Sequence, residues 1–309
     1  MDYLYVLAGL IMLVLGGDWL VKGAVKIALR LHMTPLVVGM TVVSFGTSAP
    51  ELLVSLSAGF KGYSDISFGN VIGSNIANIS LVLGLTALLM PIMVGRQTYR
   101  VDFWVMTFAT TVLLIFLRDS LLVRWEAIIL IVLLVAYIIF QIKYSKSPPV
   151  PDEVSGTASS KLWLTILILL GGILALKFGS DLLVKGSVSL AQKWGMSERV
   201  IGLTVISIGT SLPELSASII ASVKGKQDIS IGNLIGSNIF NILTVLGFTA
   251  AIIDLPVQSS QLLTLDFPVL YGIMGVLILF MAFLTPGKIT RWQGGVLFLG
   301  YIFYLWLIL

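Results

Sequence analysis

Residues 46–51 read Gly-Thr-Ser-Ala-Pro-Glu, and residues 209–214 read Gly-Thr-Ser-Leu-Pro-Glu, 163 positions later. The same offset relates residues 69–78, Gly-Asn-Val-Ile-Gly-Ser-Asn-Ile-Ala-Asn, to residues 232–241, Gly-Asn-Leu-Ile-Gly-Ser-Asn-Ile-Phe-Asn. Self-similarity at one fixed offset, without gaps, is the signature of an internal repeat. The chain therefore contains two copies of one structural unit.

The composition around these motifs is strongly apolar. Of the 309 residues, 57% are hydrophobic and only 11% are charged, and the mean hydropathy is +1.03. A soluble protein has about 25% charged residues, so these few charges could not cover a water-facing surface. The sequence predicts an integral membrane protein. The lack of cysteine excludes disulfides, iron–sulfur clusters and the usual cysteine-based zinc sites.

The net charge of +4 does not indicate a nucleic-acid partner. The Lys and Arg residues are scattered at the ends of apolar runs and form no basic block. In that position they are typical topology signals of membrane proteins. We therefore expect no nucleic-acid binding.

Ten apolar runs, each long enough for a membrane span, lie between charged or Gly/Pro-rich turns. We predict an all-α polytopic membrane protein in which residues 1–144 form a first five-span repeat and residues 162–309 a second. Residues 145–161 are polar and proline-rich, which predicts a linker. The runs lie near residues 4–29, 35–60, 67–92, 101–117, 123–143, 162–190, 198–223, 229–255, 264–284 and 292–309.

An odd number of spans in each copy has a geometric consequence. The second copy must begin on the opposite side of the membrane from the first, so the repeats are inverted and related by a pseudo-two-fold axis in the membrane plane. Transporters that work by alternating access have this architecture, with the binding site near the midplane. A simple pore does not require it.

The basic residues also predict the orientation of the chain. Twelve Lys and Arg residues fall on one side of the ten-span arrangement and six fall on the side of the termini. Because positive charge favours the cytoplasmic side, we expect both termini to be extracytoplasmic.

Two carboxylates, Glu51 and Glu214, lie well inside apolar spans. An ionised carboxylate there costs roughly 3 kcal/mol or more unless something compensates its charge. Neither span offers a Lys or Arg at helical spacing. A bound cation is the simplest compensation, and protonated or lipid-edge carboxylates are the alternative.

The surrounding residues supply oxygen ligands. Pro50 and Pro213 interrupt helical hydrogen bonding, which predicts broken spans with backbone carbonyls freed at residues 44–46 and 207–209. An oxygen-only cage with two ionised glutamates suits Ca²⁺ better than Mg²⁺, which keeps its waters and strict octahedral geometry. The polar side chains of this set, which could instead form helix–helix hydrogen bonds, are Thr47, Ser48, Ser74, Asn78, Thr210, Ser211, Ser237 and Asn241.

Four further acids have simpler interpretations. Asp18 and Asp181 each precede a lysine by four residues, which predicts ion pairs with Lys22 and Lys185. A gating role on the first and sixth spans is the alternative. Two acids that open short loops before helices are predicted N-caps: Asp65 and Asp228.

The two repeated motifs resemble the alpha-1 and alpha-2 repeats of the calcium/cation antiporter superfamily, within its branch of prokaryotic sodium/calcium exchangers. The resemblance covers nearly the whole chain. It implies ten helices in a prokaryotic cell membrane, with the first and sixth helices sliding against a core of the second, third, seventh and eighth. It also implies transport of Na⁺ and Ca²⁺ across the lipid bilayer without a cofactor or an obligatory protein partner. The implied ion ligands are Thr47, Ser48, Glu51, Ser74, Asn78, Thr210, Ser211, Glu214, Ser237 and Asn241, with the carbonyls of Ser44 and Ser207.

The chain departs from the family pattern at one position. Some members, including potassium-dependent exchangers, have Asp where this chain has Asn241, so its amide argues against potassium dependence. The 17-residue linker is also too short for a large calcium-sensing domain.

Three alternative functions remain open from the residues alone. The nearest is Ca²⁺/H⁺ antiport, in which a glutamate proton competes with calcium. A passive cation channel would need a ring-like filter that nothing in the sequence suggests. An intramembrane serine enzyme would need a base, and the single histidine, His32, lies far from the serine-rich motifs.

Overall fold

The computed structural model describes residues 2–30, 33–144, 162–194 and 207–308. The predicted linker at 145–161, His32 and the first part of the seventh predicted span, residues 198–206, lie outside the described residues. The described ranges are almost entirely helical, as expected of an all-α membrane protein.

The helices follow the ten apolar runs. The first half contains α1 (Asp2–Arg30), α2 (Pro35–Thr47), α3 (Ala49–Phe60), α4 (Ser64–Leu89), α5 (Thr98–Asp119) and α6 (Arg124–Tyr144). The second half contains α7 (Leu162–Lys193), α8 (Ser207–Thr210), α9 (Leu212–Val223), α10 (Gln227–Ile252), α11 (Leu262–Leu284) and α12 (Arg291–Ile308).

Within the described ranges, seven helices are long and apolar enough to cross a bilayer. An eighth span results if α2 and α3, bent by 43° at their junction, count as one broken span. The protein is therefore an all-α polytopic membrane protein. The helix α9 is apolar but only 12 residues long.

The secondary structure repeats at the sequence offset. The helices α3 and α9 begin 163 positions apart, and so do α4 and α10. The turn before α4 contains Gly62 at φ +78°, and the turn before α10 contains Gly225 at φ +70°. Glycine adopts this left-handed conformation without the steric cost that a Cβ would add.

Two short antiparallel ladders connect the halves, a detail absent from the sequence prediction. The strand β1 (Ile92–Met93) pairs with β4 (Lys288–Ile289), with Ile92 opposite Ile289. The strand β2 (Leu121–Leu122) pairs with β3 (Leu255–Pro256). Each strand has only two residues, so the alternating pattern that predicts a strand is too short to recognise.

The helices α4 and α10 form the centre of the molecule. In each, 83% of the residues of the most apolar 18-residue window are buried, against 28–39% in the other five long helices. The outer helices present large apolar side chains outward, such as Trp125 and Phe303. This distribution suits lipid rather than water as the surrounding solvent.

The helices α1 and α7 pack along their length through glycines spaced seven residues apart. A Cβ added to Gly9 would lie 2.7 Å from the carbonyl oxygen of Gly179, and one added to Gly172 would lie 2.6 Å from the backbone nitrogen of Leu20. A Cβ on Gly16 would lie 2.9 Å from the carbonyl oxygen of Gly172. Small residues allow such backbone-to-backbone contact between membrane helices.

The ion pairs correct one sequence prediction and support another. Lys22 pairs with Asp18 at 2.7 Å, which confirms that prediction. The predicted Asp181–Lys185 pair is wrong. Asp181 pairs with Lys177 at 2.9 Å, one turn earlier in α7, and the ammonium group of Lys185 lies 5.0 Å from the ring centre of Tyr5.

The predicted N-caps are also wrong. The N-cap of α4 is Tyr63, and Asp65 lies in the first turn, where its Oδ1 accepts from the backbone N–H of Gln258 at 2.8 Å. Asp228 likewise lies in the first turn of α10, after the N-cap Lys226. Both acids still lie at the positive end of a helix dipole.

We expect Gly172→Ala to destabilise the protein, because the added Cβ would overlap backbone atoms that a side-chain rotation cannot move. Overpacking of this kind costs about 1–3 kcal/mol. Thermal unfolding in detergent should show a lowered midpoint. Gly171→Ala is the matched control, since its Cβ would meet only the Trp19 ring at 3.6 Å. Equal midpoints for the two variants would contradict the close packing of α1 and α7.

Candidate ion-binding site

The breaks predicted at the two prolines occur just before them. Ser48 separates α2 from α3 with φ −85° and ψ 2°, and Ser211 separates α8 from α9 with φ −91° and ψ 4°. The prolines two residues further on, Pro50 and Pro213, cannot donate a helical hydrogen bond but suit the first turn of a helix. The same motif thus gives the same backbone break in both halves.

Each break places a glutamate in the first turn of the following helix. Glu51 lies in the first turn of α3 and is 1% exposed, and Glu214 lies in the first turn of α9 and is fully buried. The two carboxylates lie close enough for their charges to interact, so the two acids lie in one site. The positive end of each helix dipole favours a carboxylate there.

The central helices contribute π-helical turns to the same region. One covers Asn78–Val82 in α4 and the other Asn241–Leu246 in α10. The helix carrying Glu51 contacts the π-helical turn of α10, and the helix carrying Glu214 contacts that of α4. Each acid-bearing helix therefore packs against the asparagine-bearing turn of the other half. Short π-helical segments occur frequently at functional sites.

Direct hydrogen bonds join α2 to α10. The Thr47 hydroxyl donates to Oδ1 of Asn233 at 3.1 Å and lies 3.4 Å from Oγ of Ser237. The Ser44 hydroxyl donates to the backbone carbonyl of Asn233 at 3.0 Å. Gly236 permits this approach, because a Cβ there would lie 2.3 Å from Oγ of Ser44.

Several buried polar atoms of the predicted ligand set have no hydrogen-bond partner within the protein. A buried polar atom without a partner costs about 1–3 kcal/mol, so a cluster of them needs a functional explanation. Most are oxygens, the ligand type that Na⁺ and Ca²⁺ prefer. They include Oγ of Ser48 and Ser211, Oε2 of Glu51, both carboxylate oxygens of Glu214, and Oδ1 of Asn78 and Asn241.

Other members of the predicted set are arranged differently. The Ser44 carbonyl was expected to be freed by the break, but it accepts the backbone N–H of Ser48 at 2.9 Å. That expectation is wrong because the helix continues normally up to Ser48 and the missing donor is Pro50, further along. Ser74 is buried at 5% exposure. The side chain of Ser207 lies outside the described residues, and Thr210 lines an adjoining cavity.

A layer of asparagines behind the ligand set was not predicted from the sequence. Asn70 donates to Oγ of Ser55 at 2.9 Å, and Asn233 donates to Oγ of Ser218 at 3.1 Å. These two bonds are equivalent under the offset of 163. Both asparagines stand in the repeated motif, so their recurrence was the available signal.

Asn75 joins the halves at the centre of the site. Its amide donates to the backbone carbonyl of Asn238 at 3.2 Å, and its Oδ1 accepts from the Asn241 amide at 3.1 Å. The second bond uses the nitrogen of Asn241 and leaves its oxygen available. Asn75 therefore orients a predicted ion ligand on the opposite helix.

A cavity of about 340 Å³ leads from one side to this region. It lies between α3, α7 and the break before α9, and Pro50, Thr210 and Pro213 form part of its wall. Asp181 and Lys185 of α7 line it as well. An ion can approach the broken helices through it.

A family model described as "Sodium/calcium exchanger protein" matches residues 1–143 and 164–309. The chain belongs to the sodium/calcium exchanger family. It is therefore a cation-exchange transporter of the membrane and not an enzyme. The resemblance predicted from the two motifs is confirmed.

Individual relatives match over nearly their whole length. The chain is 37% identical to the "Putative antiporter CaxA" of Alkalimonas amylolytica, over 99% of this chain and 98% of the relative. It is 32% identical to the "Sodium/calcium exchanger MaX1" of Methanosarcina acetivorans, over 98% and 97%. A solved structure of the sodium-calcium exchanger NCX_Mj, soaked with zero Na⁺ and Ca²⁺, superposes with a TM-score of 0.83 at 32% identity, covering 98% and 97% of the two chains.

We expect Gly236→Ala to disrupt the site, because its Cβ would overlap Oγ of Ser44 and lie 2.7 Å from the backbone of Met40. The cost is about 1–3 kcal/mol, measurable as a lowered unfolding midpoint in detergent. Gly295→Ala serves as the control, since its Cβ would contact only a side-chain methyl of Leu88 at 3.7 Å. If Gly236→Ala unfolds like the control, α2 and α10 are not as close as described.

Proposed function

We propose that this transporter exchanges Na⁺ for Ca²⁺ by alternating access, with Glu51 and Glu214 as the central ligands shared by the ions. The observation that carries the proposal is the pair of buried, interacting acids surrounded by oxygens without hydrogen-bond partners. Two like charges held together in a low-dielectric interior repel strongly. A passing cation removes both the repulsion and the cost of burial.

The charge of the site suits one Ca²⁺. Two ionised glutamates balance its two positive charges, and Asn78 and Asn241 add amide oxygens without adding charge. Three Na⁺ ions on the same two acids would leave one net positive charge, so a 3:1 exchange would be electrogenic. Because neutral oxygens complete the shell of about six to eight ligands that Ca²⁺ takes, further carboxylates are not needed.

The ligands we propose occupy equivalent positions in the two halves of the chain. They are Thr47, Ser48, Glu51, Ser74 and Asn78 from the first half, and Thr210, Ser211, Glu214, Ser237 and Asn241 from the second, with the carbonyls of Ser44 and Ser207. The Ser44 carbonyl accepts the backbone N–H of Ser48 and lies 3.3 Å from the Thr47 hydroxyl, so an ion would bind it in place of the Thr47 contact.

We further propose ten transmembrane helices in two inverted repeats, residues 1–144 and 162–309, joined by the linker at 145–161. Three features support this arrangement. The helix bounds match between the halves, and so do the helix breaks. Each acid-bearing helix also contacts the π-helical turn of the opposite half. The protein would reside in the cell membrane of a prokaryote with both termini extracytoplasmic, as the distribution of Lys and Arg favours.

The relatives support sodium as the coupling ion. The names of MaX1 and of the NCX_Mj structure specify sodium and calcium. The human "Sodium/potassium/calcium exchanger 4" matches only 41% of this chain, and the amide at Asn241 argues against a potassium site.

Reconstituted protein tests the coupling ion. We expect proteoliposomes loaded with Na⁺ to take up ⁴⁵Ca²⁺ when diluted into Na⁺-free buffer, with or without a proton ionophore. Uptake that ignores the sodium gradient and collapses with the ionophore would identify Ca²⁺/H⁺ exchange instead. Calcium flux without any countertransported ion would indicate a channel.

Substitution of the acids tests the site. We expect Glu51→Gln and Glu214→Gln each to abolish exchange, because one carboxylate cannot neutralise Ca²⁺. In detergent, Ca²⁺ at 100 times its dissociation constant should stabilise the wild type by about 2.7 kcal/mol and either variant far less. Asp254→Asn removes an exposed carboxylate and is the control. Exchange retained by both glutamine variants would place the ion elsewhere.

A further inference from the structure

One face of α9 is covered by α1. A Cβ added to Gly17 would lie 2.7 Å from Cδ1 of Ile220 and 3.2 Å from the carbonyl oxygen of Ser216. Between these positions Ala217 is 1% exposed. The two helices are therefore in backbone contact along this face, and it is closed to ions.

The equivalent face of α3 is open. The counterparts of Ser216 and Ala217 under the repeat are Leu53 and Val54, which are 58% and 39% exposed. They line both the 340 Å³ cavity beside α7 and a second groove of about 480 Å³ that extends to Lys61. Under the repeat, α7 corresponds to α1 and α3 corresponds to α9. In this structure, however, α7 leaves this face of α3 exposed.

An ion pair spans the closed side. Lys224, directly after α9, pairs with Asp18 of α1, which also pairs with Lys22 at 2.7 Å. The repeat relates Lys224 to Lys61 and Asp18 to Asp181. These two counterparts lie on the open side, where Lys61 lines the groove and Asp181 lines the cavity.

The two acids have their intrahelical partners on opposite sides: Lys22 follows Asp18, whereas Lys177 precedes Asp181. Asp181 pairs with Lys177 in its own helix at 2.9 Å. The residue equivalent to Lys177 in α1 is Val14, so Asp18 has no ammonium group one turn earlier. The Asp181 carboxylate is thus paired within its own helix.

We propose that Asp18–Lys224 and Asp181–Lys61 are alternative ion pairs that close opposite sides of the ion pathway, one in each access state. This inference rests on the proposed alternating-access function. In the state described here the first pair is formed and Lys177 holds Asp181 away from Lys61. Movement of α1 and α7 to cover α3 breaks the first pair and brings Asp181 to Lys61.

The strength of these contacts suits a reversible switch. Exposed ion pairs are individually weak, so neither pair traps the transporter. Loss of one pair should shift the ratio of the two access states by about two- to five-fold, the equilibrium equivalent of such a contact. Because the chain contains no cysteine, introduced thiols report access without background.

The test uses the equivalent positions Leu53→Cys and Ser216→Cys, each labelled with a membrane-impermeant maleimide in proteoliposomes. We expect fast labelling at position 53 and slow labelling at position 216. Adding Lys224→Gln should raise labelling at 216 and lower it at 53 by about two- to five-fold. Lys61→Gln should shift both in the opposite direction, and Lys177→Val should slow labelling at 53.

Two controls separate charge from packing. Lys224→Arg keeps the charge and should label like the parent. Exchanging the charges with Asp18→Lys plus Lys224→Asp, with Lys22→Gln added to remove the neighbouring ammonium group, should restore the parental ratio. Equal labelling in the Lys224→Gln and Lys224→Arg backgrounds, or no effect of Lys177→Val, would overturn the proposal. Labelling needs no ion flux, so a failure of Na⁺/Ca²⁺ exchange would be seen separately in the flux assay.

Discussion

Two carboxylates are held away from water at the centre of this protein, and the free-energy cost of doing so constrains everything around them. The helix breaks at Ser48 and Ser211 point the positive end of a helix dipole at each acid, which lowers the cost without neutralising it. No lysine or arginine in the described ranges forms an ion pair with either glutamate. Under the proposed function, a mobile cation neutralises the remaining charge.

The neutral amides around the acids set the total charge of the site. Asn70 and Asn233 hold serines of the broken helices, and Asn75 engages the amide nitrogen of Asn241. Amides in these places orient oxygens without adding negative charge. A third carboxylate would strengthen cation binding at the expense of release, and a transporter needs both.

Much of this arrangement could be predicted from the sequence because it recurs. The repeat identified the acids, the breaks, and Asn78 and Asn241 of the central helices, and the composition identified the membrane. The π-helical turns at Asn78 and Asn241 were not predictable, since one extra residue per turn leaves no mark on an apolar helix. The partner of Asp181 was missed because Lys177 and Lys185 are both one turn away, and only the neighbouring helices decide between them. The hydrogen bond to the Ser44 carbonyl depends on where the helix stops, which sequence patterns locate only to within a few residues.

The glycines that bring α1 and α7 into backbone contact have a consequence for energy conservation. Gly9, Gly16, Gly172 and Gly179 bring the two backbones into direct contact, so under the proposed alternating-access mechanism the pair would move as one rigid body. Movement of one end toward the core would then carry the other end away from it. A rigid pair of this kind would not open both sides of the membrane to the ions together, and the proposed exchange would not dissipate the ion gradient that drives it.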